Sequence, residues 1–273
     1  MYLLFDIGAT KMRLAVSSNL KTFTKPVVLP TPKNFIQGIS RIAEAATKLS
    51  AGKKILAAAG GIAGVLDHKN EQLLASPHLT GWTKKPLKDR LQKKLGCSVF
   101  LENDAAVVGL GEATAGAGRG YGIVGYFTIS TGVGGARIVD GQVDITALGF
   151  EPGHQIIDFR TSGADLETAV SGTAVKKRYK KDPWEITDKK IWRQVSEQLA
   201  VGVHNAIVFW SPDVIVLGGG MMKNPGIDIN HVRNHVKKTL KRFSPVPPIK
   251  PAVLKDIGGI YGALRFLRQH LNQ

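Results

Sequence analysis

Two short segments carry residues suited to holding phosphate. Residues 3–16 read LLFDIGATKMRLAV and residues 126–139 read YFTISTGVGGARIV. Both follow one plan: an apolar strand, a turn of Gly, Thr and Ser, and a second apolar strand carrying an arginine. Gly8 matches Gly132 and Arg13 matches Arg137 at a constant offset. Glycine lets a backbone approach a ligand closely, and successive N–H groups in such a turn form a concave anion site. In the first turn Asp6, Gly8, Thr10 and Lys11 stand together. The Thr10 hydroxyl can donate to a phosphate oxygen, and Asp6 can hold Mg²⁺, directly or through water. Thr131 and Gly132 offer the same chemistry in the second turn. Either turn alone also reads as an ordinary glycine hairpin; the duplication favours phosphate.

Other residues suit acid–base and hydroxyl chemistry. LENDAA at 101–106 puts Asn103 and Asp104 where a strand gives way to a helix. The helix dipole favours an ionised Asp104, which can accept a proton from an attacking hydroxyl or simply cap the helix. Glu151, Gly153 and His154 share the loop GFEPGH, and Glu167 opens the next helix. Carboxylates and an imidazole suit several hydroxyl groups, although by spacing alone they are also ordinary solvated side chains. His78 in SPHLTGW carries the same ambiguity. Gly218 and Gly219, in LGGGMM after the apolar strand DVIVL, allow a flat adenine against backbone or a close-packed strand-to-helix turn. Two common nucleotide motifs are excluded. No GxxxxGK[ST] occurs, and Gly120, Gly122 and Gly125 match GxGxxG before a strand rather than between strand and helix.

The elements that must position these residues alternate in type. The spacing predicts helices over 34–50, 85–95, 165–181, 188–210 (with Thr187 as N-cap), 228–243 and 258–271, and strands over 55–67 and 98–103. SPVPPIKP at 244–251 reads as a stiff extended linker, and GAGRGYG at 116–122 as a boundary. This rhythm argues for an α/β architecture. Two lobes are expected: residues 1–115 with the C-terminal helix 258–273, and residues 116–257.

The 273 residues are 43% apolar, without a run approaching the ~20 apolar residues of a membrane span. The chain opens on a strand, without a signal-peptide pattern. Cys97 is the single cysteine, so neither an intrachain disulfide nor a cysteine-based zinc site can form. A cytoplasmic protein is expected. The net charge is +16, with basic clusters at 84–94, 176–181 and 237–242. These lie far apart and lack interleaved aromatics, so solvated helix faces are a better reading than nucleic-acid binding.

Taken in order, the motifs resemble the ROK family of repressors, open reading frames and sugar kinases, in the actin-like ATPase superfamily. DIGATKMRLAV resembles its first phosphate motif, SPHLTGW its sugar loop and ENDAA its catalytic motif. STGVGGARIVDG resembles its second phosphate motif, EPGH its Glu-x-Gly-His sugar motif and LETAVSGTAV the helix that follows. The resemblance implies two actin-like (ribonuclease H-like) α/β lobes with mixed sheets around a central cleft. It implies ATP- and Mg²⁺-dependent phosphorylation of a hexose or N-acetylhexosamine, with Asp104 as general base. Asn103, Glu151, His154, Glu167 and His78 would bind sugar. Asp6, Gly8, Thr10, Lys11, Thr131 and Gly132 would hold ATP·Mg²⁺, and Gly218 and Gly219 would meet the adenosine. It also implies a homodimer. Three departures stand out. The cysteine-rich zinc loop of many members is replaced by QIIDFRTSGADLE, so no structural zinc is expected. His78 stands where the family usually has Asn, and GGIAGVLD lacks a frequent proline. The first phosphate motif opens at residue 3, so a DNA-reading helix-turn-helix of the family's repressors is not expected. The alternative reading is a sugar-binding or regulatory member with impaired catalysis.

Overall fold

The structure is a computed structural model, and it describes residues 1–160, 163–241 and 245–271. Thr161 and Ser162 of the cysteine-free loop, Arg242 of the third basic cluster, Ser244 heading the proline-rich stretch and the last two residues of the predicted C-terminal helix lie outside the described residues. The chain divides into two compact units. The first comprises residues 1–114, 145–149 and 256–273; the second comprises 115–144 and 150–255.

Each unit is built on a five-stranded mixed sheet. In the first, β1 (Tyr2–Ile7), β2 (Lys11–Ser17), β3 (Val27–Pro30), β4 (Ala57–Ile62) and β7 (Ser98–Asn103) run in the order β3-β2-β1-β4-β7. Between β4 and β7 a small ribbon pairs β5 (Val65–Leu66) with β6 (Leu73–Ala75). The second unit's sheet takes β8 (Ile123–Ile129), β9 (Val133–Val139), β10 (Gln142–Val143), β13 (Val214–Gly218) and β14 (Ile249–Pro251) in the order β10-β9-β8-β13-β14. The two orders are the same when strands are counted within each sheet. In both, the first three strands are antiparallel neighbours, and the first pairs in parallel with the fourth. The repeated hairpin is thus the opening of a repeated sheet. A second ribbon pairs β11 (Ile156–Asp158) with β12 (Ala164–Asp165).

In the first unit, α1 (Phe35–Leu49), α2 (Leu87–Leu95), α3 (Asp104–Ala115) and α8 (Gly258–Leu271) accompany the sheet. Its core joins Leu3, Phe5 and Ile7 of β1 to Phe35 and Ile42 of α1 and to Trp82. Trp82 is fully buried, and its indole N–H donates to the Pro32 carbonyl at 2.9 Å. In the second unit, α4 (Leu166–Val170), α5 (Gly172–Tyr179), α6 (Lys189–Trp210) and α7 (Ile229–Thr239) build a core with Phe127, Ile129, Ile215 and Leu217.

Four expectations need correction. The strand predicted over 55–67 is two, β4 in the main sheet and β5 in the small ribbon, parted at Ala63–Gly64, where Gly64 has φ +130°. The helix predicted over 165–181 is two helices, broken at Ser171. The Ser171 side chain accepts from the Ala174 N–H, and its backbone is extended, so it starts a new helix. The cap of α6 is Asp188, not Thr187, because the Asp188 carboxylate accepts from the Lys190 N–H at 2.8 Å. The proline-rich linker ends in a strand, since Ile249–Pro251 pairs with β13 at the sheet edge, where proline is tolerated. Among the described residues, no helix is long and apolar enough to cross a membrane.

Candidate active site

The first glycine turn joins β1 to β2. The Gly8 N–H donates to the Lys11 carbonyl at 3.0 Å, and the Thr31 hydroxyl donates to the Gly8 carbonyl at 2.8 Å. Thr10 and Lys11 are exposed at the turn. One strand residue inward, Asp6 lies opposite Arg13 across the β1–β2 ladder, 3.7 Å from its guanidinium. The side chain of Asp6 keeps only 14% of its accessible surface. A Cβ on Gly259, at the start of α8, would fall 2.8 Å from this carboxyl carbon. Gly259 is therefore bare because Asp6 occupies the space. Burial pushes the Asp6 carboxyl up to about 7, helped by nearby Asp104 and Asp256 and opposed by Arg13. A largely buried carboxylate near a second carboxylate, with Arg13 offsetting part of their charge, is a candidate ligand for a divalent cation.

Asp104 stands at the first turn of α3, at the end of β7. A Cβ on Gly61 of the adjacent β4 would come within 2.8 Å of the Asp104 Cα, so only glycine lets this helix start so close to the sheet. The helix is capped by its predecessor: the Asn103 carboxamide oxygen accepts from the Ala106 N–H at 3.1 Å. The Asp104 carboxylate accepts from the adjacent Ala105 N–H at 2.9 Å. The Asn103 side chain thus closes the first helical turn. The Asn103 amide also donates to the Gly64 carbonyl at 3.0 Å, which leaves it one N–H for a ligand. Asn103→Ala is expected to cost about 1 kcal/mol in urea unfolding, and Asn103→Asp to recover most of it because the cap is kept.

His78 is exposed at the tip of its loop, which two buried residues pin down. Trp82 anchors one side in the core. On the other, the Ser76 hydroxyl donates to the Ala63 carbonyl at 2.9 Å. All of Asp6, Gly8, Thr10, Lys11, His78, Asn103 and Asp104 belong to the first unit.

The remaining predicted residues belong to the second unit. Its glycine turn, between β8 and β9, is more firmly held than the first. The Ser130 carbonyl accepts from Gly172 N–H at 2.7 Å, and the Thr131 carbonyl from Thr173 N–H at 3.2 Å, so the start of α5 supports it. The Ser130 hydroxyl accepts from the Gly220 N–H at 3.0 Å. Glu167 reaches the turn from α4: its carboxylate accepts from the Val133 N–H at 2.7 Å, and a Cβ on Gly132 would stand 2.6 Å from it. Glu167 therefore braces the second turn as well as facing the EPGH loop. That loop lies flat on β9, because a Cβ on Gly153 would meet the Val133 carbonyl at 2.3 Å.

Glu151, His154 and Glu167 form one electrostatic cluster. Desolvation raises the Glu151 carboxyl, although solvent still reaches it; His154 opposes the shift and Glu167 adds to it. The His154 imidazole is held above its ordinary value chiefly by the 3.1 Å hydrogen bond to Asp165, against some desolvation and with help from Glu167 and Glu151. Asp165 also caps α4 through the Thr168 N–H. Asp165 is not among the residues expected from the sequence; its visible sign there is an Asp one residue before a helical run.

The triple glycine separates into two kinds of residue. At Gly218 a Cβ would lie 2.9 Å from the Tyr126 hydroxyl, and Gly219 has φ +100° with a Cβ 2.1 Å from the Ile129 carbonyl. Both are demanded by the fold. Gly220 is different: a Cβ there meets nothing within 4 Å, and its φ lies outside the left-handed region. Gly220 borders a cavity of about 580 Å³ that also includes Ser130, Thr131, Gly172, Lys176 and Trp184. Gly220, Lys176 and Trp184 are likewise absent from the expected residues. Nothing in local spacing marks which glycine of three reaches a cavity.

Known proteins share this arrangement of sheets and turns. The family model described as ROK family matches residues 2–270. A glucokinase of Thermotoga maritima is 28% identical over 309 aligned residues, covering 97% of this chain and 96% of its own. An N-acetyl-D-glucosamine kinase of Mannheimia succiniciproducens is 27% identical, covering 95% and 96% respectively. Among solved structures, a ROK hexokinase from Thermus thermophilus superposes with a TM-score of 0.85 at 26% identity, covering 100% of this chain and 99% of that one.

Proposed function

This chain belongs to the ROK family, and from that premise we propose that it is an ATP-dependent sugar kinase acting on a hexose or N-acetylhexosamine, with Asp104 as general base. Relatives named for glucose and for N-acetylglucosamine support this range of acceptors. The observation that carries the reading is the cavity bordered by Thr131 and Gly220. It combines a glycine turn suited to phosphate with an apolar wall suited to a base, at about 580 Å³. Bound ATP·Mg²⁺ supplies the transferable phosphoryl group and part of the charge neutralisation.

The chain's own residues then have distinct tasks. The turn at Gly8, Thr10 and Lys11 and the turn at Thr131 and Gly132 hold phosphate oxygens. Asp6 provides the carboxylate for the cation. Glu151, His154 and Glu167 accept and donate hydrogen bonds to sugar hydroxyls, with Asp165 fixing the His154 ring by its bond to Nδ1. Asn103 keeps one amide N–H for the sugar while capping α3, and His78 adds an imidazole from its pinned loop. Asp104 accepts the proton of the attacking hydroxyl as its oxygen bonds to the terminal phosphorus of ATP and the bond from that phosphorus to the bridging oxygen breaks, releasing ADP. A panel of hexoses and N-acetylhexosamines, read by sugar-dependent ADP release, tests the proposal. A preferred sugar with release well above the sugar-free rate is expected. Binding of sugar and ATP without any sugar-dependent release would favour the non-catalytic reading.

A further inference from the structure

The chain has two tryptophans near the start of α6, and they are treated differently. Trp192 is buried, with its indole N–H donating to the Ile186 carbonyl at 2.8 Å. Trp184 is 70% exposed, and among the described residues its indole N–H has no hydrogen-bond partner. An exposed aromatic usually sits on a loose loop, but this one is mounted rigidly. It occupies a single 3₁₀ turn, Pro183–Glu185. The Glu185 carboxylate accepts from the Asp182 N–H at 2.8 Å, and Asp182 in turn pairs with Lys176 of α5 at 2.8 Å. Proline at 183 fixes the backbone further. The backbone that carries this large π face is thus fixed, and the ring does not serve the core.

That face borders the cavity that contains Thr131 and Gly220. Buried Met221 and half-buried Pro225 supply further apolar wall, and Lys223 supplies positive charge, while Lys176 is paired with Asp182, which also lines the cavity. A neighbouring cavity of about 880 Å³ shares Trp184 but has neither Thr131 nor Gly220 in its wall. A ligand whose one end is a phosphate chain and whose other end is an aromatic ring therefore fits the first cavity. We infer that Trp184 stacks on the nucleobase of the phosphoryl donor and makes this chain select a nucleoside triphosphate over a base-free polyphosphate. The inference rests on the kinase reading and adds a donor-specificity residue to it.

The test measures binding of ADP and of inorganic triphosphate to the full chain by calorimetry, with tryptophan fluorescence as a second readout. One base–aromatic stack contributes ~1–3 kcal/mol, which is roughly a 5- to 150-fold change in affinity. Trp184→Ala should weaken ADP by that factor and leave inorganic triphosphate within about two-fold of wild type. Trp184→Phe should recover most of the loss, because a ring remains. Gly220→Val gives a second handle. Its fold should be kept, since a Cβ at Gly220 meets open space, but ADP binding should be lost. Equal weakening of ADP and triphosphate in Trp184→Ala would mark a merely structural role and overturn the inference. So would wild-type ADP affinity in Trp184→Ala, with the kinase reading left standing; wild-type ADP affinity in a folded Gly220→Val would remove this cavity from nucleotide binding and overturn both. A wild-type chain that binds neither ADP nor triphosphate would overturn both.

Discussion

Asp104→Asn is expected to lower kcat about 10²- to 10⁴-fold, the range of a positioned general base, with KM for sugar and ATP and the melting temperature close to wild type. Stability is kept because a different residue caps α3. Asn103, not Asp104, accepts from the Ala106 N–H and satisfies the helix end. Removing the negative charge from the first turn costs the ~0.3–1 kcal/mol of a helix-dipole interaction, and relief of repulsion with Asp6 offsets part of it. Steady-state kinetics with thermal unfolding on the same sample checks both halves. A variant with full turnover would remove Asp104 from the reaction. One that fails to fold would show that the carboxylate, not the Asn103 cap, holds the helix start.

Asp6→Asn should act in opposite directions on stability and on cation binding. In the free protein the Asp6 carboxyl titrates near 7 rather than at its ordinary 3.8, chiefly because it is buried and secondarily because of Asp104. The folded state therefore binds this proton more tightly than the unfolded chain does. Its contribution to stability is fully present below about pH 4 and falls as pH rises towards 7. Above that, an ionised buried carboxylate opposes folding. Asparagine carries no charge at any of these pH values, so the loss disappears. A carboxyl raised from 3.8 to about 7 represents on the order of 4 kcal/mol. Urea unfolding of Asp6→Asn against wild type should show little difference at pH 4 and a stabilised variant at pH 8. The same variant should lose roughly 10- to 100-fold in apparent Mg²⁺ affinity in the presence of ATP. A variant no more stable than wild type at pH 8 would mean that Asp6 is better solvated or better paired than its surroundings indicate.

The doubling of the fold was legible because it is carried by local pattern. Two hairpins of like sequence each open a sheet, and both sheets repeat one strand order. Helix edges were less legible where a capping residue competes with its neighbour. Ser171 interrupts a continuous helical spacing because its hydroxyl can serve the next helix, and Asp188 outcompetes Thr187 one position away. In the candidate site the charged residues were visible by type, but their division of work was not. Glu167 looks from the sequence like a ligand for hydroxyl groups; only the approach of α4 to β9 brings it to the Val133 N–H. Asp165 was hidden because a helix cap and a histidine partner use the same side chain. Gly218, Gly219 and Gly220 are identical as letters. Their roles separate through the positive φ at Gly219, the Tyr126 hydroxyl beside Gly218 and the open space before Gly220. Trp184 could not be singled out either, since exposure and a rigid mount are properties of the folded turn.

Mass spectrometry of the sugar pool, after incubating the wild-type chain and Asp104→Asn with ATP, Mg²⁺ and the preferred sugar, tests phosphoryl transfer most directly. Wild type should yield sugar heavier by one phosphoryl group, in step with ADP, and Asp104→Asn only a trace in the same time. An unmodified sugar pool with wild type, or equal product from both chains, would contradict a sugar kinase that relies on Asp104.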